Sequence, residues 1–296
     1  MNYGVIDIGS NTIRLNVYKD DKLNKTLFSK KNVAGLASYI DNGKLNERGI
    51  KKLVKVLNSH KKLLNFLSVD KVFLFATASL RNVSNHKEII KTVKKETNFD
   101  IELISDKDEA NLGYLGACQN YNFKSGITLD IGGGSTEVVS FENGKVTDIY
   151  NLDEGSLSIY TKFTDGVLPD VGEYRKIGKY LESKIDITEK SMNLKEKNVI
   201  GMGGSIRAVG NILQEMNGWY HNLDYDLEDI LDLQRRIVVQ DPQALKIILQ
   251  VVPERIHTIT AGSMILSTIL KKLNCDTVHV SNIGLREGYL LNKISK

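Results

Sequence analysis

The chain has 296 residues, too many for one ordinary core and a natural length for two domains. With 41% hydrophobic and 26% charged residues it reads as a globular protein, which excludes disordered, fibrous and membrane classes; no apolar run approaches a membrane span. The formal charge of +4, from 40 basic and 36 acidic residues, is too mild to mark a nucleic-acid binder, and two distant cysteines, Cys118 and Cys275, argue against a disulfide framework or a zinc site.

The N-terminus enters a strand without a basic-then-apolar leader, so a cytoplasmic location is expected. Residues 4–8 form a short apolar strand that ends in Asp-Ile-Gly and a Ser/Asn/Thr turn; residues 13–18 alternate as a second strand, and 25–31 read as a third. A helix is predicted over 46–67, a strand over 71–75, a helix over 85–96, a short strand over 101–104 and a helix over 107–120. Residues 121–125 link the halves. The second half then repeats the opening of the first. The segment Thr128-Leu-Asp-Ile-Gly-Gly-Gly-Ser-Thr136 again runs from a strand ending in Asp-Ile-Gly into a hydroxyl-rich turn, and strands over 137–141 and 145–152 follow. Helices are predicted over 156–163 and 171–185, a surface loop over 188–197, and a strand over 198–202 that runs into Gly203-Gly204-Ser205 and a helix. Further helices cover 227–237, 242–251 and 261–273, before a strand over 277–280 and a last helix from 285. Two copies of one supersecondary start predict two similar α/β domains, 1–122 and 123–296, facing each other across a cleft. The alternative boundary has the last helix packing back on the first domain.

Asp7 and Asp130 end apolar strands beside glycines, where a carboxylate is costly to bury without a cation or donors. Gly9, Gly132, Gly133 and Gly134 let backbone N–H groups approach a phosphate, and Ser10, Asn11, Ser135 and Thr136 add neutral donors. Two such carboxylates could share Mg²⁺, which also takes waters and phosphate oxygens. The plainer alternative is a pair of hairpin turns in which each Asp caps its own backbone; the duplication and a third glycine turn favour phosphate. That third turn, Gly203, Gly204 and Ser205, opens a helix whose positive end suits an anion. No GxxxxGK[ST] loop or well-placed GxGxxG fingerprint is present, which argues against Walker ATPases and Rossmann dehydrogenases.

From pattern alone Glu109, with Asp106 and Asp108, reads as an acidic helix start that complements the dipole. Glu137 follows a glycine turn at a strand start, a poor place for Glu unless exposed or liganded. Arg81 is either a phosphate clamp or a surface ion pair. Lys30-Lys31, Lys51-Lys52 and Lys94-Lys95 read as solvated faces, the other reading being that some line a groove for a polyanion. Trp219-Tyr220-His221 reads as a locally packed aromatic loop, and no histidine has ligand spacing.

The strings GVIDIGSNTIRL and TLDIGGGSTEVV, with ATASLRNVSN, ISDKDEANLGYLG, GMGGSIRAVG and VSNIGLREGYL, resemble the exopolyphosphatase/guanosine pentaphosphate phosphohydrolase (Ppx/GppA) family along nearly the whole chain. The resemblance implies two actin-like (ribonuclease H-like) domains of the actin, sugar kinase and heat-shock ATPase superfamily. It implies Mg²⁺-assisted attack of water on a terminal phosphoryl group of inorganic polyphosphate or of guanosine pentaphosphate. By the same resemblance Glu109 is the general base and Asp7, Asp130 and Glu137 are the Mg²⁺-associated acids. Gly9, Ser10, Asn11, Arg81, Gly132, Gly133, Gly134, Ser135, Gly203, Gly204 and Ser205 are the phosphate contacts. Departures from the family pattern occur at Ala78-Ser79, at Ile256-His257 after Arg255, and at Asn282. Absence of the longer relatives' C-terminal helical extension leads to the expectation of shorter polyphosphates or a nucleotide as substrate. Other readings carried forward are a superfamily ATPase or kinase and a non-catalytic polyphosphate or alarmone sensor. No nucleic-acid or membrane partner is expected, and the quaternary expectation is a homodimer.

Overall fold

The structure, a computed structural model, describes residues 1–19, 22–218 and 223–295. The aromatic segment Trp219-Tyr220-His221 lies outside the described residues. Strands β1 (Asn2–Ile8), β2 (Thr12–Lys19) and β3 (Lys22–Val33) form an antiparallel meander. A one-turn 3-10 helix (Leu36–Tyr39) and a hairpin of β4 (Ile40–Asp41) and β5 (Lys44–Leu45) lead into α1 (Glu47–Phe66). Asn46 starts that helix by accepting a hydrogen bond from Gly49 N, and Leu53, Val56, Leu57, His60 and Leu64 recur at helical spacing to form its buried stripe. Strand β6 (Lys71–Ala76) pairs parallel to β1, followed by α2 (Ala78–Arg81), α3 (His86–Thr97), β7 (Glu102–Leu103) and α4 (Asp106–Ala117).

The second half repeats the plan. Strands β8 (Ser125–Ile131), β9 (Thr136–Glu142) and β10 (Lys145–Leu152) make another meander, and α5 (Ser156–Phe163) and α6 (Val171–Lys184) follow. Strand β11 (Val199–Met202) pairs parallel to β8 and runs into α7 (Gly203–Asn217). Then come β12 (Tyr225–Asp226), α8 (Leu227–Val238), α9 (Pro242–Val251), α10 (Ile259–Lys272), β13 (Thr277–Val280) and α11 (Leu285–Ile294). The sheets run β3-β2-β1-β6-β7 and β10-β9-β8-β11-β13-β12. In each, the local order is third, second, first, fourth, fifth strand, and β12 is an extra edge on the second. The chain is therefore a duplicated, actin-like α/β protein.

Two compact units result, residues 1–112 with 286–296, and residues 113–285. The sequence-based boundary at 122/123 differs from this division for a physical reason. The end of α4 packs with the second unit, where Ala117 is buried with Phe141, Ile200 and Met202. Helix α11 groups with the first unit: Arg286 pairs with Asp7, Tyr18 donates to Glu287, and Tyr289 donates to Glu102. Each unit has its own apolar core, around Ile6, Leu15, Leu57 and Ile89 in the first. The second is centred on α10, in which every residue from Ile259 to Leu270 is buried. Among the described residues no helix is long and apolar enough to cross a membrane.

Candidate active site

In the first unit, Asp7 closes β1 and the turn Gly9-Ser10-Asn11 follows. Gly9 N donates to Thr12 O at 3.0 Å, which tightens the turn. The carbonyl of Ser10 accepts from Ala37 N, and that of Asn11 from Ala34 N and Gly35 N, so both point into the start of the 3-10 helix. In a trans peptide the N–H lies opposite the carbonyl, and the following amides are therefore turned away from that helix. Asp7 is ion-paired with Arg286 at 3.0 Å. Burial pushes its carboxyl pKa up, against the opposing fields of Arg286 and Arg14. Burial also works against the charge of Arg286, but Asp7 and Glu287 more than offset this and raise its pKa.

Glu109 lies in the first turn of α4, whose start is fixed by Ser105: its Oγ accepts from Asp108 N at 3.1 Å and donates to Asp108 Oδ2 at 2.7 Å. Arg81, at the end of α2, directs Nη1 to Glu109 Oε2 at 3.0 Å and to Ile104 O at 2.7 Å, while Nη2 reaches Asp106. The structure thus brings Arg81 and Glu109 together. The sequence reading left Arg81 as a phosphate clamp or an ion pair, with the resemblance favouring the clamp; here its fork holds carboxylates.

In the second unit, Asp130 and the loop Gly132-Gly133-Gly134-Ser135 repeat the first turn, with Gly132 N donating to Ser135 O at 2.9 Å. The loop carbonyls again point into a helix start. Ser156 N donates to Gly132 O at 3.0 Å, and Leu157 N and Ser158 N donate to Gly133 O at 2.9 and 3.0 Å. The open amides of the first turn of α5 are thereby satisfied by the loop, and the amides of Gly133 and Gly134 face the other way. A Cβ on Gly134 would meet nothing within 4 Å, whereas one on Gly155 would lie 2.6 Å from Gly133 C and Gly134 N. Gly155 is therefore needed for the close approach of α5 to the loop, although no motif in the sequence marked it.

The third turn has a different use from simple looping. Gly203 has φ +85°, and a Cβ there would fall 2.1 Å from Asp130 Oδ1; on Gly204 it would fall 1.9 Å from Nη2 of Arg255. These two glycines make room for an acid and a base at the start of α7. Ser205 is 3% exposed and its Oγ has no hydrogen-bond partner. Burial lowers the pKa of Arg255, with Glu254 opposing. Arg255 is 51 residues away in the chain, so nothing local in the sequence tied it to this turn.

The chemistry of these donors can be tested against Mg²⁺. Asp130 and Glu137 are direct cross-strand partners in β8 and β9, so both carboxylates leave one face of the sheet as neighbours. Like charges so placed destabilise a sheet, and a divalent cation offsets that cost. Mg²⁺ commonly takes one or two carboxylates and completes its shell with water and phosphate oxygens. The pair fits that need. Among the described residues no group of three or more His, Cys, Asp or Glu could hold a metal ion, and Asp7 is balanced by Arg286.

Known proteins resemble this chain along nearly its whole length. The chain is 25% identical over 311 residues to exopolyphosphatase 1 of Mycobacterium tuberculosis, across 99% of this chain and 88% of that one. It is 23% identical to the guanosine-5'-triphosphate,3'-diphosphate pyrophosphatase of Aeromonas salmonicida, across 97% and 58%. The solved structure of a Ppx/GppA family member from Aquifex aeolicus matches with a TM-score of 0.81 at 27% identity, across 100% of this chain and 98% of that one. A sequence model of the Ppx/GppA phosphatase family covers residues 17–296, and since that stretch is nearly the whole chain and holds the second loop and Glu109, the chain belongs to the Ppx/GppA phosphatase family.

Proposed function

We propose that the protein is an exopolyphosphatase-type phosphohydrolase, releasing orthophosphate from the end of an inorganic polyphosphate chain. The observation that carries this reading is the Glu109 carboxylate held by Arg81 in a chain of a phosphatase family. Glu109 orients the attacking water and takes its proton; Arg81 acts on the reaction through Glu109. The amides of Asn11, Gly133 and Gly134, turned away from the helix starts that their preceding carbonyls cap, offset charge on the phosphoryl oxygens, and Ser10, Asn11 and Ser135 add hydroxyl or amide contacts. The start of α7, with Gly203, Gly204, Ser205 and Arg255, supplies a further anion contact. Asp130 and Glu137 are assigned to Mg²⁺, which when bound would polarise the phosphoryl group and screen its charge. Asp7, already neutralised by Arg286, orders the first loop.

Similarity to the Aeromonas enzyme supports a second reading with the same machinery, removal of the 5'-terminal phosphate of guanosine pentaphosphate. Orthophosphate release with Mg²⁺ present, from triphosphate, long polyphosphate, guanosine pentaphosphate and ATP in parallel, separates the readings. Release from polyphosphate is the expected result. Release from the pentaphosphate alone selects the second reading, turnover of ATP alone replaces both with an ATPase or kinase, and binding without release makes the protein a sensor.

A further inference from the structure

Next to the second glycine loop lies a buried acid that the reaction does not use. Glu154 sits between β10 and α5, just before Gly155, and is 8% exposed. Three donors from two helices converge on its carboxylate. Ser158 Oγ of α5 donates to Oε2 at 2.6 Å, Tyr180 Oη of α6 donates to Oε1 at 2.5 Å, and Lys162 Nζ, near the end of α5, donates to Oε1 at 3.2 Å. Lys162 also donates to Tyr180 Oη at 2.8 Å, which ties the donors to one another. Burial works against the charge of Glu154, but these hydrogen bonds outweigh it and lower its pKa, so the group is ionised at neutral pH.

The backbone at this acid touches the 132–135 loop. Thr136 Oγ1, one residue past the loop, donates to Glu154 O at 2.9 Å. Gly155 comes so near the loop that a Cβ on it would lie 2.6 Å from Gly133 C and Gly134 N. Ser158 links backbone and side chain, since its Oγ accepts from Gly155 N at 2.9 Å and donates to the Glu154 carboxylate. Stability does not account for an acid here. Exchanging a buried ion pair for an apolar side chain of similar volume is often neutral or favourable, and Lys162 is half exposed. What a carboxylate supplies and an apolar side chain lacks is direction, because each hydrogen bond fixes the distance and angle of its partner.

We propose that Glu154 is a positioning residue of the hydrolase. Held by Ser158, Lys162 and Tyr180, it fixes the Glu154–Gly155 backbone on which the 132–135 loop is laid, and so sets where the Gly133 and Gly134 amides meet the transferring phosphoryl group. Its effect belongs in kcat, because a small displacement of the loop loses contacts made in the transition state. The KM for a long polymer is shared among many phosphates and depends on the loop far less. This rests on the hydrolase reading above, but not on the choice between polyphosphate and guanosine pentaphosphate, since both would be cut at the same loop.

The test measures kcat and KM for orthophosphate release from long-chain polyphosphate and guanosine pentaphosphate, together with Tm. Glu154→Leu keeps the volume and removes the acceptor. It is expected to hold Tm near wild type and to lower kcat about 10- to 100-fold, with KM changed by less than about threefold. Glu154→Gln keeps a carbonyl oxygen for the two hydroxyls and should restore most of kcat. Ile248→Val, which trims the core of the second unit in α9, should do the reverse of Glu154→Leu, lowering Tm and sparing kcat. A kcat for Glu154→Leu within about twofold of wild type would overturn the positioning role and leave the hydrolase reading standing, as would a loss that Glu154→Gln does not recover. Should Glu154→Leu fail to fold, Tyr180→Phe, which removes a single donor, decides: kcat about fivefold lower supports the role, and unchanged kcat overturns it. A wild type that releases no phosphate from either substrate overturns both.

Discussion

At the residue scale, reactivity depends on how each carboxylate is held. Glu109 is held by Arg81 within 3.0 Å, so replacing its carboxylate by an amide keeps the shape and removes the base. Glu109→Gln is expected to lower kcat by about 10²- to 10⁴-fold while polyphosphate still binds, as read by orthophosphate release and by titration calorimetry. Asp130→Asn should instead move the Mg²⁺ titration of activity to higher concentration, since one of two cross-strand acids is lost; an unchanged titration would remove Asp130 from the metal site. His60 is a different case, buried in α1 with Nε2–H donating to Asn32 Oδ1 at 2.8 Å and Nδ1 without a partner. Burial, aided by Lys30, lowers its pKa to about 4 from the ordinary 6.5. The unfolded chain therefore binds a proton that the native state refuses. Stability from this group is complete above pH 6.5 and is lost as pH falls towards 4, with a slope of at most about 1.4 kcal/mol per pH unit. Thermal melts of His60→Gln across that window should show a flatter acid limb than wild type.

At the scale of elements, the loops owe their shape to the helices that follow them. The first-turn amides of α5 are taken up by Gly132 and Gly133 carbonyls, and the absence of a side chain at Gly155 lets this contact close. Gly155→Ala is expected to push the loop out of place, lowering kcat/KM about a hundredfold, as for removal of a transition-state donor. The Tm should fall as expected for about 1–3 kcal/mol of overpacking. A variant with lowered Tm and intact kcat/KM would show that α5 supports the fold but does not set the loop. Much of this level was legible in the sequence. Strong periodicity placed α1, α5, α9 and β13, and the repeated Asp-Ile-Gly turns gave the duplication. The elements that escaped, β4, β5, β12 and the single-turn α2, are two to four residues long and too short to show a period. Arg255 and Gly155 escaped for another reason: their roles are set by close approach to glycines distant in the chain, of the Arg255 guanidinium to Gly204 and of the Gly155 backbone to the 132–134 loop, which no local pattern encodes.

At the scale of the molecule, the order of the chain and the order of the fold part company at the end. Helix α11 follows the second unit in sequence but belongs to the first, through Arg286 on Asp7, Glu287 under Tyr18, and Tyr289 packed on Phe75 at 4.6 Å between ring centroids. The first half of the chain thus lacks part of its own unit until the last residues are made. Arg286→Met keeps the length of the side chain and strands the Asp7 carboxylate. Breaking a buried ion pair costs about 3–5 kcal/mol, and the low end applies here because the two side chains keep 18% and 19% exposure. If α11 is an integral part of the first unit, hydrogen exchange in Arg286→Met should speed up in β1, β2 and β6 and stay slow in β11 and α10. Equal loosening of both sets of elements would mean that the two units unfold as one, and no change in either would mean that Arg286 serves Asp7 without holding α11 in place.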